Sequence, residues 1–165
     1  MSLAIYPGNF DPPTLGHLGI IRRAASIFDE VKVCVMKDDA KAGAMFTPDE
    51  RVCLISEITE DFDNVTVSAF SGLLADYIEE FENPVIIRGL RAITDFDYEF
   101  QMAQVNKKLN PRLETMFLIA DNSYTYLSSS VVRMLAKFGG KLSSFVPAEI
   151  TETVCRKAAG GGDAR

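Results

Sequence analysis

One histidine, a handful of guanidiniums and several glycine- and serine-rich turns carry nearly all the chemistry this chain could do. The histidine, His17, closes the stretch YPGNFDPPTLGH (residues 6–17), which also holds two glycines and three prolines. Gly8 follows an apolar run and permits a tight turn with close approach of the backbone to a ligand. Pro12 and Pro13 stop the run from continuing as a strand. Thr14 is placed as the N-cap of the helix that follows, and Gly16 removes a side chain beside its start. Such a helix start offers unpaired N–H groups and a positive dipole end, which suit an anion. His17 lies four residues before Ile21 and seven before Ala24, so it shares their sheet-facing side but sits in the first turn, over the edge of the sheet. A histidine there can donate to a phosphate. The alternative is a capping or packing role.

Three further segments add cations and anion-ready turns. IIRGLRAITDFDYEF puts Arg88 at a strand end, Gly89 in the turn and Arg91 one step on. Each guanidinium can fork onto a phosphate, or pair with Asp95, Asp97 or Glu99. YLSSSVVR offers Ser128 as a cap, with Ser129 and Ser130 in the first turn. This is again an anion site, or an ordinary serine cap. KDDAKAGAMF is a small-residue loop carrying Lys41 with Lys37 nearby, read either as a substrate-facing or as a solvated lysine. Residues 95–109 carry two apolar stripes, Phe96–Phe100–Ala103 and Tyr98–Met102–Val105–Leu109. The second face meets another subunit, or the helix is buried between layers of one chain.

What is missing is informative. No nucleophile–base pair is evident, and no metal-ligand spacing of His, Cys or carboxylates occurs. Neither GxGxxG nor GxxxxGK[ST] is present. The inventory suits charge stabilisation on a transferring phosphoryl or nucleotidyl group, where positioning and electrostatics dominate. A net charge of −6 argues against general nucleic-acid binding. No apolar run approaches the roughly 18 residues of a membrane span. Cys34, Cys53 and Cys155 form no CxxC pair and are expected to be reduced, mostly buried thiols of a cytoplasmic protein.

The elements that must position these residues alternate along the chain. Strands are expected at 3–6, 31–36, 64–70, 84–88 and 114–120. Helices are expected at 15–28, from Thr47 with Pro48 and Glu50 as start signals, and at 72–81, 95–109, 128–137 and 147–158. This order predicts an α/β protein: a doubly wound, five-stranded parallel sheet with a C-terminal helix, one domain over 1–159 and a flexible tail over 160–165. Ligands in such sheets bind beyond the carboxyl ends of the strands, where these four segments and SGLL (71–74) after the third strand all fall.

YPGNFDPPTLGH, IIRGLRAITDFDYEFQMAQVN and YLSSSVVR together resemble the bacterial phosphopantetheine adenylyltransferase family, and TLGH resembles the [H/T]xGH motif of its nucleotidyltransferase superfamily. The likeness spans roughly residues 4–158. It implies a Rossmann-like nucleotidyltransferase fold and transfer of adenylyl from ATP to 4'-phosphopantetheine with Mg2+, giving dephospho-coenzyme A and pyrophosphate. It further implies coenzyme A as a feedback ligand and a homohexamer. By position, His17, Lys41 and Arg91 would be catalytic. Gly8, Asn9, Phe10, His17, Gly89, Leu90, Arg91, Glu99 and Tyr124, Thr125, Tyr126, Leu127, Ser128, Ser129 and Ser130 would hold ATP. Asn9, Lys41, Leu74, Arg88, Tyr98 and Asn106 would hold the acceptor substrate. Asn9 stands where the family usually has Thr or Ser, the Lys41 loop is one residue longer, and Pro13 makes a double proline. The competing readings are a nicotinate mononucleotide adenylyltransferase, a cytidylyltransferase, and a nucleotide-binding module without catalysis. Thr14 and RGLRAITDFDYE disfavour the first two; His17, Arg91 and the serine trio disfavour the third.

Overall fold

The computed structural model describes residues 1–37 and 43–160. Five strands, β1 (Leu3–Gly8), β2 (Glu30–Met36), β3 (Val65–Phe70), β4 (Val85–Leu90) and β5 (Glu114–Ile119), form one parallel sheet in the order β3-β2-β1-β4-β5. They alternate with α1 (Leu15–Ile27), α2 (Pro48–Ile58), α3 (Leu74–Tyr77) and α4 (Ile93–Leu109), while α5 (Ser129–Lys137) and α6 (Ala148–Gly160) follow the last strand. The winding reverses between β1 and β4, so the ligand-binding crevice of this topology opens there. Register widens it. β1 pairs with β2 from Leu3↔Glu30 to Gly8↔Val35, but with β4 only at Ala4↔Val85 and Ile5↔Ile86. Beyond that point the two strands part, and Tyr6–Gly8 face Arg88–Leu90 across a gap.

The core follows from the strands' two-residue period. Ala4, Tyr6, Val33 and Ile87 point to the α1 face, against Ile20, Ile21 and Ala24. Ile5, Cys34 and Ile86 point to the other, with Phe70, Ile78 and Leu113. A third cluster, including Phe46, Leu54, Ile58, Val132, Leu142, Ile150 and Val154, joins α2, α5 and α6 beside the sheet and holds the start of α5 over the crevice. All three helix starts read from sequence are real, Thr14 capping α1. Thr47 caps α2 in a capping box with Glu50, and Ser128 caps α5.

Several expectations need correction. The helix expected over 72–81 is the four-residue α3 and a 3-10 turn at Ile78–Glu80. Gly72 takes a left-handed φ of 108° and Leu73 offers no capping side chain. Of the three thiols only Cys34 is buried. Cys53 and Cys155 each stand one residue off the buried stripe of their helix and are exposed. α6 runs to Gly160, one residue into the expected tail, and 161–165 lie outside the described residues. The deep-burial alternative for α4 is overturned. None of its residues is buried, and Phe96, Tyr98, Phe100, Met102, Val105 and Leu109 are all exposed in the single chain. Among the described residues no helix is long and apolar enough to cross a membrane.

Candidate active site

The gap between β1 and β4 opens into a cavity of about 480 Å³ roofed by the first turns of α1 and α5. Its geometry starts with Phe10. This residue, not Gly8, takes the left-handed conformation, with φ 49°. Gly8 is the last residue of β1 and answers to a different demand. Phe10 folds back so closely that a Cβ on residue 8 would lie 2.8 Å from its ring. The ring is buried and meets Tyr6 and His17 edge-on, at centroid distances of 5.3 and 5.0 Å.

His17 completes a capping box with Thr14. The Thr14 amide N–H donates to Nδ1 at 3.0 Å, and the His17 amide N–H donates to Thr14 Oγ1 at 3.3 Å. Because a backbone N–H can only donate, Nδ1 is the acceptor and the neutral ring carries its proton on Nε2. Burial, with the nearby Arg91 and Arg88 guanidiniums adding to it, pushes the imidazole pKa down to about 4, so the ring is neutral at pH 7. Nε2 has no partner among the described residues, and the ring lines the cavity. The capping and ligand-facing readings therefore both hold, one for each nitrogen.

The arginines are braced in the same way. Arg88 Nε and Nη2 donate to the Glu99 carboxylate, each at 2.6 Å, and Nη1 donates across the gap to Pro7 O at 2.8 Å. Arg91 Nη1 donates to Leu127 O at 2.8 Å and its Nε to Asp95 at 3.2 Å. Both still line the cavity. The serine hydroxyls serve the framework. Ser128 Oγ accepts the Val131 N–H, Ser129 Oγ donates to Pro12 O at 2.8 Å, and Ser130 Oγ accepts from Arg133. The Ser129 bond pins the start of α5 onto the loop before α1, so two helix N-termini face one space.

Of the residues singled out from sequence, the cavity brings together Gly8, Asn9, Phe10, His17, Arg88, Gly89, Arg91, Glu99, Tyr124, Leu127 and Ser128–Ser130. Leu90, Leu74, Tyr98, Asn106, Thr125 and Tyr126 are not in its lining. Leu74 packs with Phe70 and Ile78 on the opposite face of the sheet, Tyr98 is exposed on α4, Thr125 bonds Asn122 O, and Tyr126 turns to Phe145. Lys41 lies outside the described residues.

Among the lining residues that were not singled out are four with polar side chains, Tyr6, Asp11, Arg51 and Arg133. The Asp11 carboxylate accepts the Met45 and Phe46 N–H groups at 2.9 and 2.8 Å and lies 3.6 Å from both Arg51 Nε and Arg133 Nη1. Arg51 in turn donates to Phe46 O at 2.8 Å and Asn9 O at 3.1 Å. Signals existed for two of them. Arg51 stands three, four and seven residues before Leu54, Ile55 and Ile58, a charge on a buried stripe. Arg133 stands one turn beyond Ser130. Among the described residues no group of three His, Cys, Asp or Glu side chains could hold a metal ion.

The arrangement presents a neutral N–H donor, four guanidiniums and two helix starts to one cavity, with no nucleophile–base pair among the described residues, and so can bind and polarise phosphoryl oxygens. Comparison with known proteins agrees. Residues 5–135 match the model of a family described as cytidylyltransferase-like. Three proteins named phosphopantetheine adenylyltransferase align over nearly all of their length and of this chain. The one from Clostridium tetani is 51% identical over 158 residues, 96% of this chain and 98% of that protein. That from Caldanaerobacter subterraneus subsp. tengcongensis is 50% identical over 95% and 98%. That from Alkaliphilus metalliredigens is 50% identical over 96% and 100%. A crystal structure from Vibrio parahaemolyticus, described as a nicotinate-nucleotide adenylyltransferase, superposes with a TM-score of 0.68 over 98% of this chain and 94% of that one. At 20% identity it speaks for the fold alone.

Proposed function

The chain belongs to the phosphopantetheine adenylyltransferase family, and on that premise we propose how its cavity transfers adenylyl from ATP to 4'-phosphopantetheine. An oxygen of the phosphopantetheine phosphate attacks the α-phosphorus of ATP. The bond from that phosphorus to the bridging oxygen breaks in line, and pyrophosphate leaves with the electron pair. The product is dephospho-coenzyme A, and the reaction runs in both directions. The attacking phosphate is ionised near neutral pH, its second pKa being about 6, so no general base is required.

The following roles are proposed for the side chains, and the geometry of the described residues supports them. His17 donates from Nε2 to an α-phosphoryl oxygen whose charge grows in the transition state. It does so without a proton transfer, since the ring is already neutral. Arg91, the α1 start and the α5 start hold the nucleotide's phosphates, with Gly89 beside them. Arg88 offers the acceptor phosphate the N–H groups that Glu99 and Pro7 leave unused, and Lys41 and Asn9 add donors for the same group. Glu99 acts on this phosphate through Arg88, whose plane it fixes. Mg2+ enters as the ATP complex and is held by the triphosphate, as suits a hard ion that keeps most of its waters. Leu74, Tyr98 and Asn106 would reach the pantetheine arm only outside this cavity. The exposed face of α4 supports assembly of several copies, a hexamer in the family's pattern. A cytoplasmic setting and feedback by coenzyme A belong to the same reading.

The observation that carries the proposal is the orientation of His17, capped on Nδ1 and open on Nε2 within a ring of arginines. A pyrophosphate exchange assay tests it. Protein, Mg2+, dephospho-coenzyme A and labelled pyrophosphate should yield labelled ATP. Label appearing only with nicotinate adenine dinucleotide, or not at all, would overturn it.

A further inference from the structure

Tyr6 is 6% exposed, and its ring is fixed between Phe10 and the α1 face of the sheet. Its hydroxyl has no hydrogen-bond partner among the described residues. Yet no fully buried side-chain nitrogen or oxygen there lacks one. The hydroxyl is therefore the part of Tyr6 that reaches the surface, and that surface is the cavity wall. It stands 3.9 Å from where a Cβ of Gly89 would lie, on the strand end between Arg88 and Arg91. Burial pushes the phenol pKa up to about 12, so it is a donor throughout the working pH range. An unpartnered O–H held on a rigid strand and flanked by guanidiniums is matched to an anionic oxygen.

We infer that Tyr6 is a further binding residue, whose phenolic O–H donates to a non-bridging oxygen of the nucleotide's α-phosphoryl group, beside the donors of His17 and Arg91. The inference rests on the function proposed above for this cavity. Tyr6→Phe deletes the oxygen and keeps the ring that packs on Phe10, so the melting temperature should match wild type. With the hydrogen bond to a charged group lost, kcat/KM for dephospho-coenzyme A pyrophosphorolysis should fall about ten- to a hundredfold. A value within twofold of wild type would overturn the inference. A second readout is independent of turnover. In protein labelled with 13C at tyrosine Cζ, the resonance missing from Tyr6→Phe should shift when ATP and Mg2+ are added. An unmoved resonance at saturating ATP would also overturn it. Should wild type fail to make labelled ATP, the proposed function falls, while the ATP-induced shift still decides for or against Tyr6.

Discussion

Thr14 and His17 bond each other in both directions, amide N–H of Thr14 to ring Nδ1 at 3.0 Å and amide N–H of His17 to Thr14 Oγ1 at 3.3 Å. One motif thus starts α1 and selects the tautomer of its histidine. Thr14→Ala removes the cap and should cost about 1 kcal/mol of stability, read as a lower denaturant midpoint at unchanged slope. Thr14→Ser should restore both stability and turnover. Full activity in Thr14→Ala would show that the ring needs no such support.

The low pKa of His17 makes stability depend on pH. The folded value is near 4 against 6.5 in the unfolded chain, so between these values the unfolded state binds more protons. Stability is then fully present above about pH 6.5 and falls as pH drops toward 4. The ring is only partly buried, so the loss is on the order of 1–2 kcal/mol. His17→Gln should lose this slope, seen as a difference between wild-type and variant denaturant midpoints that shrinks from pH 7 to pH 4.5. Parallel curves would contradict the shift.

Glu99 grips Arg88 through two 2.6 Å bonds in a partly desolvated setting. Glu99→Gln keeps the size and loses the charge and one acceptor oxygen. It should destabilise the protein by about 1–3 kcal/mol and let the guanidinium turn. Steady-state kinetics should show KM for phosphopantetheine raised at least tenfold, with KM for ATP changed less. An ATP effect as large as the acceptor effect would place Glu99 on the nucleotide directly.

Phe96 and Phe100 stack at 5.5 Å on α4, with Phe96 edge-on to Phe117 of the edge strand β5, and both rings are exposed in the single chain. A face this apolar seeks a partner. Val105→Glu, in the second exposed stripe of the same helix, should shift the sedimentation coefficient of the assembly toward that of one 18.2 kDa chain, with helix content unchanged. Wild type sedimenting as one chain would dismiss the assembly.

Much of this fold is written in local patterns. Thr47-Pro48-Asp49-Glu50 states its own helix start, and the alternation of Ala4, Ile5 and Tyr6 fixes which face each side chain takes. The site was legible where glycine, histidine or serine sat at an element's edge. It was not legible where the decisive contact is long-range. Asp11 gains its meaning from Arg51 and Arg133, 40 and 122 residues away, and Tyr6 looks like ordinary core until β1 and β4 part. The left-handed Phe10 escaped because that conformation is imposed by packing against Gly8 and His17, not by its own propensity.

His17 is the chain's one histidine, so a single 15N-labelled imidazole reports on the central claim without assignment. Ring nitrogen spectra from pH 5 to 8 should show one neutral tautomer, protonated at Nε2, and the Nε2–H resonance should move when ATP and Mg2+ are added while Nδ1 stays an acceptor. An imidazolium at pH 6, or an Nε2 signal indifferent to saturating ATP, would contradict the account.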